Sequence, residues 1–174
     1  MRNQYVDIFV REPTLLYELH GRLLAAVHGL QTEDAALAVA FPGWKDAPGE
    51  FGPLFRVFSA QASLLQDLIG RIRPLTEQNW LYVLPIQTVP DHARTICFAR
   101  DRANDCYTSS KARRLQRRNP DWVPTQHPRE LSVTHVLPMQ SASNQQSFQM
   151  RIKRKRTAQL GGHQYGLGLL VPDF

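Results

Sequence analysis

Histidine is the side chain whose unperturbed pKa suits proton transfer near neutral pH, and three of this chain's histidines stand near other reactive groups. His20 and His28 share one predicted helix, two turns apart, and His163 lies two residues before Tyr165. Ser141 and Ser143 place hydroxyls in a polar loop. The stretch Lys111-Ala112-Arg113-Arg114-Leu115-Gln116-Arg117-Arg118 carries five fixed cations and no acidic residue. As a helix it stacks Arg113 on Arg117 and Arg114 on Arg118, so four guanidiniums share one broad face. Such a face suits a polyanion, since a merely solvated helix would intersperse glutamates. RNA joins these features into one chemistry. Its own 2′-hydroxyl can attack the neighbouring phosphate if it is held in line while a histidine moves the proton.

Other chemistries lack their residues. There is no P-loop, no G-x-G-x-x-G and no H-E-x-x-H. The acidic residues of the second half are too scattered for a two-metal nuclease, so no metal and no cofactor is expected. Charge divides the chain: residues 1–90 carry seven Lys/Arg against nine Asp/Glu, and residues 91–174 carry fourteen against six. A basic second half leaves RNA, DNA or an anionic membrane as partners. A membrane is the weakest, because no apolar run approaches the roughly 20 residues of a spanning helix. The first residues show no signal-peptide organisation. Cys97 and Cys106, the only cysteines, lack metal-site spacing and read as free thiols of a cytosolic chain.

The elements that must position these groups follow from periodicity. Residues 5–11 alternate as a strand, and a helix runs over 15–28 with Gly29 as its terminator. Strands are expected at 35–41 and 54–58, and a Ser59-capped helix over 60–72. A proline-interrupted strand over 80–89 completes β-α-β-β-α-β, the order of a ferredoxin-like domain and of the RRM. The fold class is therefore α+β, with a ferredoxin-like domain over 1–90 and a basic RNA-binding domain over 91–174. In the second part, strands are expected at 94–99, 131–137 and 148–156. The basic helix stops at Asn119-Pro120, residues 139–147 form a polar loop, and the glycine-rich 161–168 leads to an apolar end. The strand 148–156 sets Phe148, Met150 and Ile152 on one face and Gln149, Arg151 and Lys153 on the other.

Four of these features, in this order, resemble a known family. They are the helix-end His28 followed by Leu37-Ala38-Val39-Ala40-Phe41-Pro42, the arginine helix, Ser141-Ala142-Ser143 with Phe148 leading into a basic strand, and Tyr165-Gly166-Leu167 before Val171-Pro172-Asp173-Phe174. The chain is similar to the CRISPR-associated endoribonucleases of type I-F systems, which cut precursor CRISPR RNA. The resemblance implies roles. His28 would be the catalytic histidine, with His20 and His163 as rivals; Ser141 and Ser143 would hold the ribose, and Tyr165 would orient His28. Phe148 would stack on the base of the repeat hairpin. Lys111, Arg113, Arg114, Arg117 and Arg118 would line its stem, Arg100 and Arg102 would reach base edges at its foot, and Arg151 and Lys153 would add to the basic surface. The expected partners are the repeat hairpin, retained as the 3′ handle of the crRNA, and the other subunits of a type I-F surveillance complex.

Overall fold

The computed structural model describes residues 3–32, 36–47, 51–91, 93–101, 109–121, 134–141, 145–156 and 164–174. Its first half is an antiparallel sheet of β1 (Gln4–Val10), β2 (Ala38–Ala40), β3 (Leu54–Ser59) and β4 (Leu81–Val83), in the order β2-β3-β1-β4. That is the ferredoxin-like arrangement, with helices α1 (Leu16–His28) and α2 (Ala62–Glu77) as its two crossovers. The expected strand over 80–89 is two pieces, because Pro85 interrupts it. β4 pairs with Ile8–Val10, and β5 (Gln87–Thr88) pairs with Gln4–Tyr5 farther along β1. The second helix is longer than its sequence pattern suggests and carries Pro74 inside its last turn.

A second antiparallel sheet has the order β7-β8-β6-β9. It is built from β6 (Arg94–Arg100), β7 (Thr134–Gln140), β8 (Ser147–Lys155) and β9 (Leu170–Asp173). The apolar end of the chain is the strand β9. It pairs with Arg94–Cys97 and becomes an edge of the sheet. The loop expected over 139–147 is also shorter, since pairing runs out to Gln140 opposite Ser147. Among the described residues, no helix is long and apolar enough to cross a membrane.

Helix α1 joins the two sheets because it is buried on two sides. Leu19, Leu23, Leu24 and Val27 are fully buried in the core, which also takes Phe98, Leu137, Met150 and Ile152 from the second sheet. The other side of α1 meets β7 at Gly21, where a Cβ would lie 2.1 Å from the Pro138 carbonyl oxygen. No side chain fits there. Glycine costs about 1 kcal/mol in a helix interior, and here that cost admits the backbone of β7 against the helix. Gly29, by contrast, caps α1 in right-handed geometry (φ −71°), so it is not the left-handed terminator its position suggested.

The outer face of the first sheet carries a buried ion pair. Asp7 and Arg56 sit opposite each other on β1 and β3, joined at 2.6 and 2.8 Å. Arg56 also donates to the carbonyl of Phe174 at 2.8 Å. The Phe174 ring packs edge-on against Tyr5 at 5.1 Å. An RRM uses aromatic residues on this face to stack bases; here the chain's own C-terminal segment covers Tyr5 and Phe58.

Candidate active site and nucleic-acid interface

His28 is the last residue of α1, half-buried, with its ring stacked on Tyr165 at 4.2 Å between centroids and 26° between planes. Three local devices hold that contact. Gln31 closes the connection after the helix by pairing with both backbone groups of Leu37, donating at 2.8 Å and accepting at 3.1 Å. Tyr165 adopts left-handed backbone (φ 65°), a conformation a bulky residue takes only when its surroundings impose it. Gly166, also left-handed (φ 72°), is the residue that imposes it. A Cβ there would lie 2.8 Å from Val39 and 3.1 Å from Val27 and the Leu37 carbonyl oxygen. Gly166 thus seats the turn against the residue preceding His28, and the tyrosine ring falls onto the imidazole. The Nδ1 atom of His28 is buried without a hydrogen-bond partner among the described residues.

His20 has a different fate. It is fully buried, donates from Nδ1 to the Leu16 carbonyl at 2.7 Å, and sits among the rings of Phe41, Phe51 and Phe55. Burial pushes its pKa down to about 4, against the smaller opposing effect of its backbone hydrogen bonds. A substrate phosphate cannot reach it without opening the core. His135, which the sequence reading passed over, is also buried. Its Nε2 faces the Lys45 carbonyl at 3.2 Å and its Nδ1 the Tyr17 hydroxyl at 3.3 Å, so it ties β7 to the first half. Its strand pattern alone could have marked it as inward-facing. His163 and Ser143 lie outside the described residues.

A cleft of about 790 Å³ opens between α1 and the β7–β8 hairpin. Glu18, Gly21, Arg22 and Ala25 form one wall; Ser141, Gln145 and Phe148 stand on the other. The hairpin turn is held by Ser141 N–H donating to the Gln146 carbonyl at 2.9 Å and by Gln145 in left-handed backbone. Gly21, Ala25 and His28 follow one another at helical spacing on one side of α1. His28 therefore lies about 5 Å along the axis beyond Ala25, the last residue of α1 that lines the cleft. The structure thus brings Ser141 and Phe148 into one cleft, and His28 and Tyr165 together near its end.

The basic residues divide. Helix α3 (Ser109–Arg118) ends where the sequence predicts, with Asn119 accepting from the Asp121 N–H at 3.2 Å. Arg113, Arg114, Arg117 and Arg118 are exposed and, among the described residues, have no acidic partner. The side chain of Lys111 and all of Arg102 lie outside the described residues. On β8 the charges are already engaged. Lys153 reaches Asp101 at 2.9 Å with both side chains largely buried, and Arg154 pairs with Asp46. Arg100 and Arg151 are half-buried, and Arg100 has interactions of its own within the protein.

A ferredoxin-like sheet, a second antiparallel sheet and an arginine-rich helix define an α+β RNA-binding protein. The chain belongs to the Csy4 family of CRISPR-associated proteins, whose sequence model matches residues 5–174. This is a family of CRISPR RNA endonucleases, and the processing of CRISPR RNA is the work it assigns to the chain. A search of curated proteins gives no match.

Proposed function

We propose that the protein binds the CRISPR repeat hairpin and cuts precursor CRISPR RNA 3′ of the stem without a metal. The observation that carries this reading is the His28–Tyr165 stack beside a cleft that holds Ser141 and Phe148. In the proposed step the 2′-oxygen of the last stem nucleotide attacks the adjacent phosphorus. A new P–O2′ bond forms, the P–O5′ bond breaks, and the products are a 2′,3′-cyclic phosphate and a 5′-hydroxyl. One proton leaves the attacking hydroxyl and one arrives on the leaving oxygen; His28 serves one of these transfers. Ser141, with Ser143, holds the ribose in line, and Tyr165 fixes the imidazole. Phe148 stacks on the base pair at the foot of the stem.

The exposed arginines of α3, with Lys111, follow the stem phosphates, while Arg100 and Arg102 reach base edges at the foot. A bidentate arginine–guanine contact is worth about 1–3 kcal/mol by analogy with DNA readout. Arg151 and Lys153 lie on the basic strand beneath, and Lys153 contributes through its hold on Asp101 as much as through its charge. The basic domain over 91–174 carries this interface, and the ferredoxin-like domain over 1–90 supplies the histidine. After the cut the protein retains the hairpin as the crRNA 3′ handle and joins the other subunits of a type I-F surveillance complex. A labelled repeat hairpin in EDTA tests the chemistry. The ribose substrate should be cut, and the same hairpin with 2′-deoxyribose at the cleaved nucleotide should bind but stay whole. Binding without cutting of the ribose substrate would instead make this a non-catalytic hairpin-binding subunit.

A further inference from the structure

Two charged groups in the cleft, Arg22 and Glu18, have no part in the mechanism above. Arg22 lies on α1 one residue beyond Gly21, exposed at the cleft wall, with its guanidinium 2.5 Å from the carboxylate of Glu18 and 5.7 Å from the centre of the Trp80 ring. The remaining polar groups around it, on Ser141, Gln145 and their neighbours, are neutral hydrogen-bonders, and Phe148 offers an aromatic face. A cation, neutral hydrogen-bonders and an aromatic ring in one open cleft are the components of a site for unpaired nucleotides. The Trp80 ring lies within cation–π range of the guanidinium. The Glu18 pair spans one helical turn and is half-exposed, and such a pair is weak enough for a phosphate to displace it. Arginine suits that exchange because its planar fork matches a phosphate as well as a carboxylate.

We propose that Arg22 binds a phosphate of the unpaired RNA adjoining the foot of the hairpin, and that Glu18 holds the guanidinium until that strand arrives. The inference rests on the hairpin-binding reading, with the stem on α3 and Phe148 at its foot. Arg22 lies roughly 9 Å along the helix axis from His28. The strand it holds is therefore a flank of the cut, and Arg22 is a positioning residue for that flank.

The test compares binding of four RNAs, each with 2′-deoxyribose at the cleavage position: a hairpin trimmed at the foot, the same hairpin extended 5′, the same extended 3′, and an unpaired oligonucleotide of the flank sequence. Arg22→Ala should weaken one extended hairpin about tenfold, leave the trimmed hairpin unchanged, and lower the salt slope for the extended one by about one. The two extensions show which flank the cleft takes. Arg22→Lys should restore most of the loss, and Glu18→Gln should tighten the extended hairpin severalfold. Melting temperatures of the variants should match the wild type, since both side chains reach solvent. Equal loss on trimmed and extended hairpins would place Arg22 on the stem and overturn the proposal, as would no loss on any RNA. If wild type bound hairpin and unpaired RNA alike, the hairpin reading would fall, and the oligonucleotide arm would still decide the role of Arg22.

Discussion

The two histidines of α1 occupy one helix roughly 12 Å apart, yet the fold gives them opposite environments. His20 is enclosed by phenylalanines and its imidazole is held neutral, whereas His28 reaches the helix end and meets Tyr165. The basic residues repeat the contrast. The arginines of α3 stand in solvent, while Lys153 on β8 is committed to Asp101. Residue type names a capability. Burial and partners decide whether it is available to a substrate.

The sharpest way to break the first comparison is to remove each imidazole. His28→Ala should lower the cleavage rate by three orders of magnitude or more, in line with the upper range of about 10²–10⁴ for a single acid–base group. Hairpin affinity should hardly change. His20→Leu should still cut at neutral pH. Single-turnover rates on a labelled hairpin decide it: normal cutting by His28→Ala would transfer the role to His163.

His20 should instead reveal itself in stability. Its folded pKa of about 4 lies below the ordinary value of 6.5, so the unfolded chain binds the proton more readily. The resulting stabilisation is fully present above pH 6.5 and is lost as pH falls toward 4. It amounts to about 3 kcal/mol over the whole window. Urea unfolding at pH 7 and pH 4.5 should show the wild type losing more stability than His20→Leu; parallel losses would show that His20 is not held neutral.

Gly166→Ala sharpens the account of His28 without touching it. The added methyl must displace Val39, Val27 or the turn itself, and Tyr165 moves with the turn. A displacement of 1 Å in a catalytic array can cost about 10²-fold. The cleavage rate should therefore fall by about that factor while the folded variant still binds the hairpin. An unchanged rate would show that the tyrosine does not position the imidazole.

The smallest effects separate the basic segments. Replacing Arg114 and Arg118 together by alanine should lower the slope of log K against log salt by about two, since fewer counterions are released, and should leave the melting temperature alone. Lys153→Ala should do the reverse, lowering the melting temperature by removing one member of a largely buried ion pair while changing the slope little. Salt titrations and thermal melts on the same samples test both; a full slope change from Lys153→Ala would place its ammonium on phosphate.

Local pattern determined much of this protein. Alternation and 3.6-residue periodicity marked the β-α-β-β-α-β order, Asn119-Pro120 marked the end of the arginine helix, and the strand pattern set Phe148 apart from Arg151 and Lys153. These are properties of a few neighbouring residues, so a sequence displays them. The tertiary structure decided what depends on residues distant in the chain. It made the apolar end a strand beside β6, buried His20, and gave Lys153 its partner Asp101. It also set Gly166 against Val27 and Val39, which brings a tyrosine from the last ten residues onto a histidine from the first thirty. No local rule carries that contact. It exists because α1 is packed between two sheets, and only glycine at positions 21 and 166 lets the backbones come close enough.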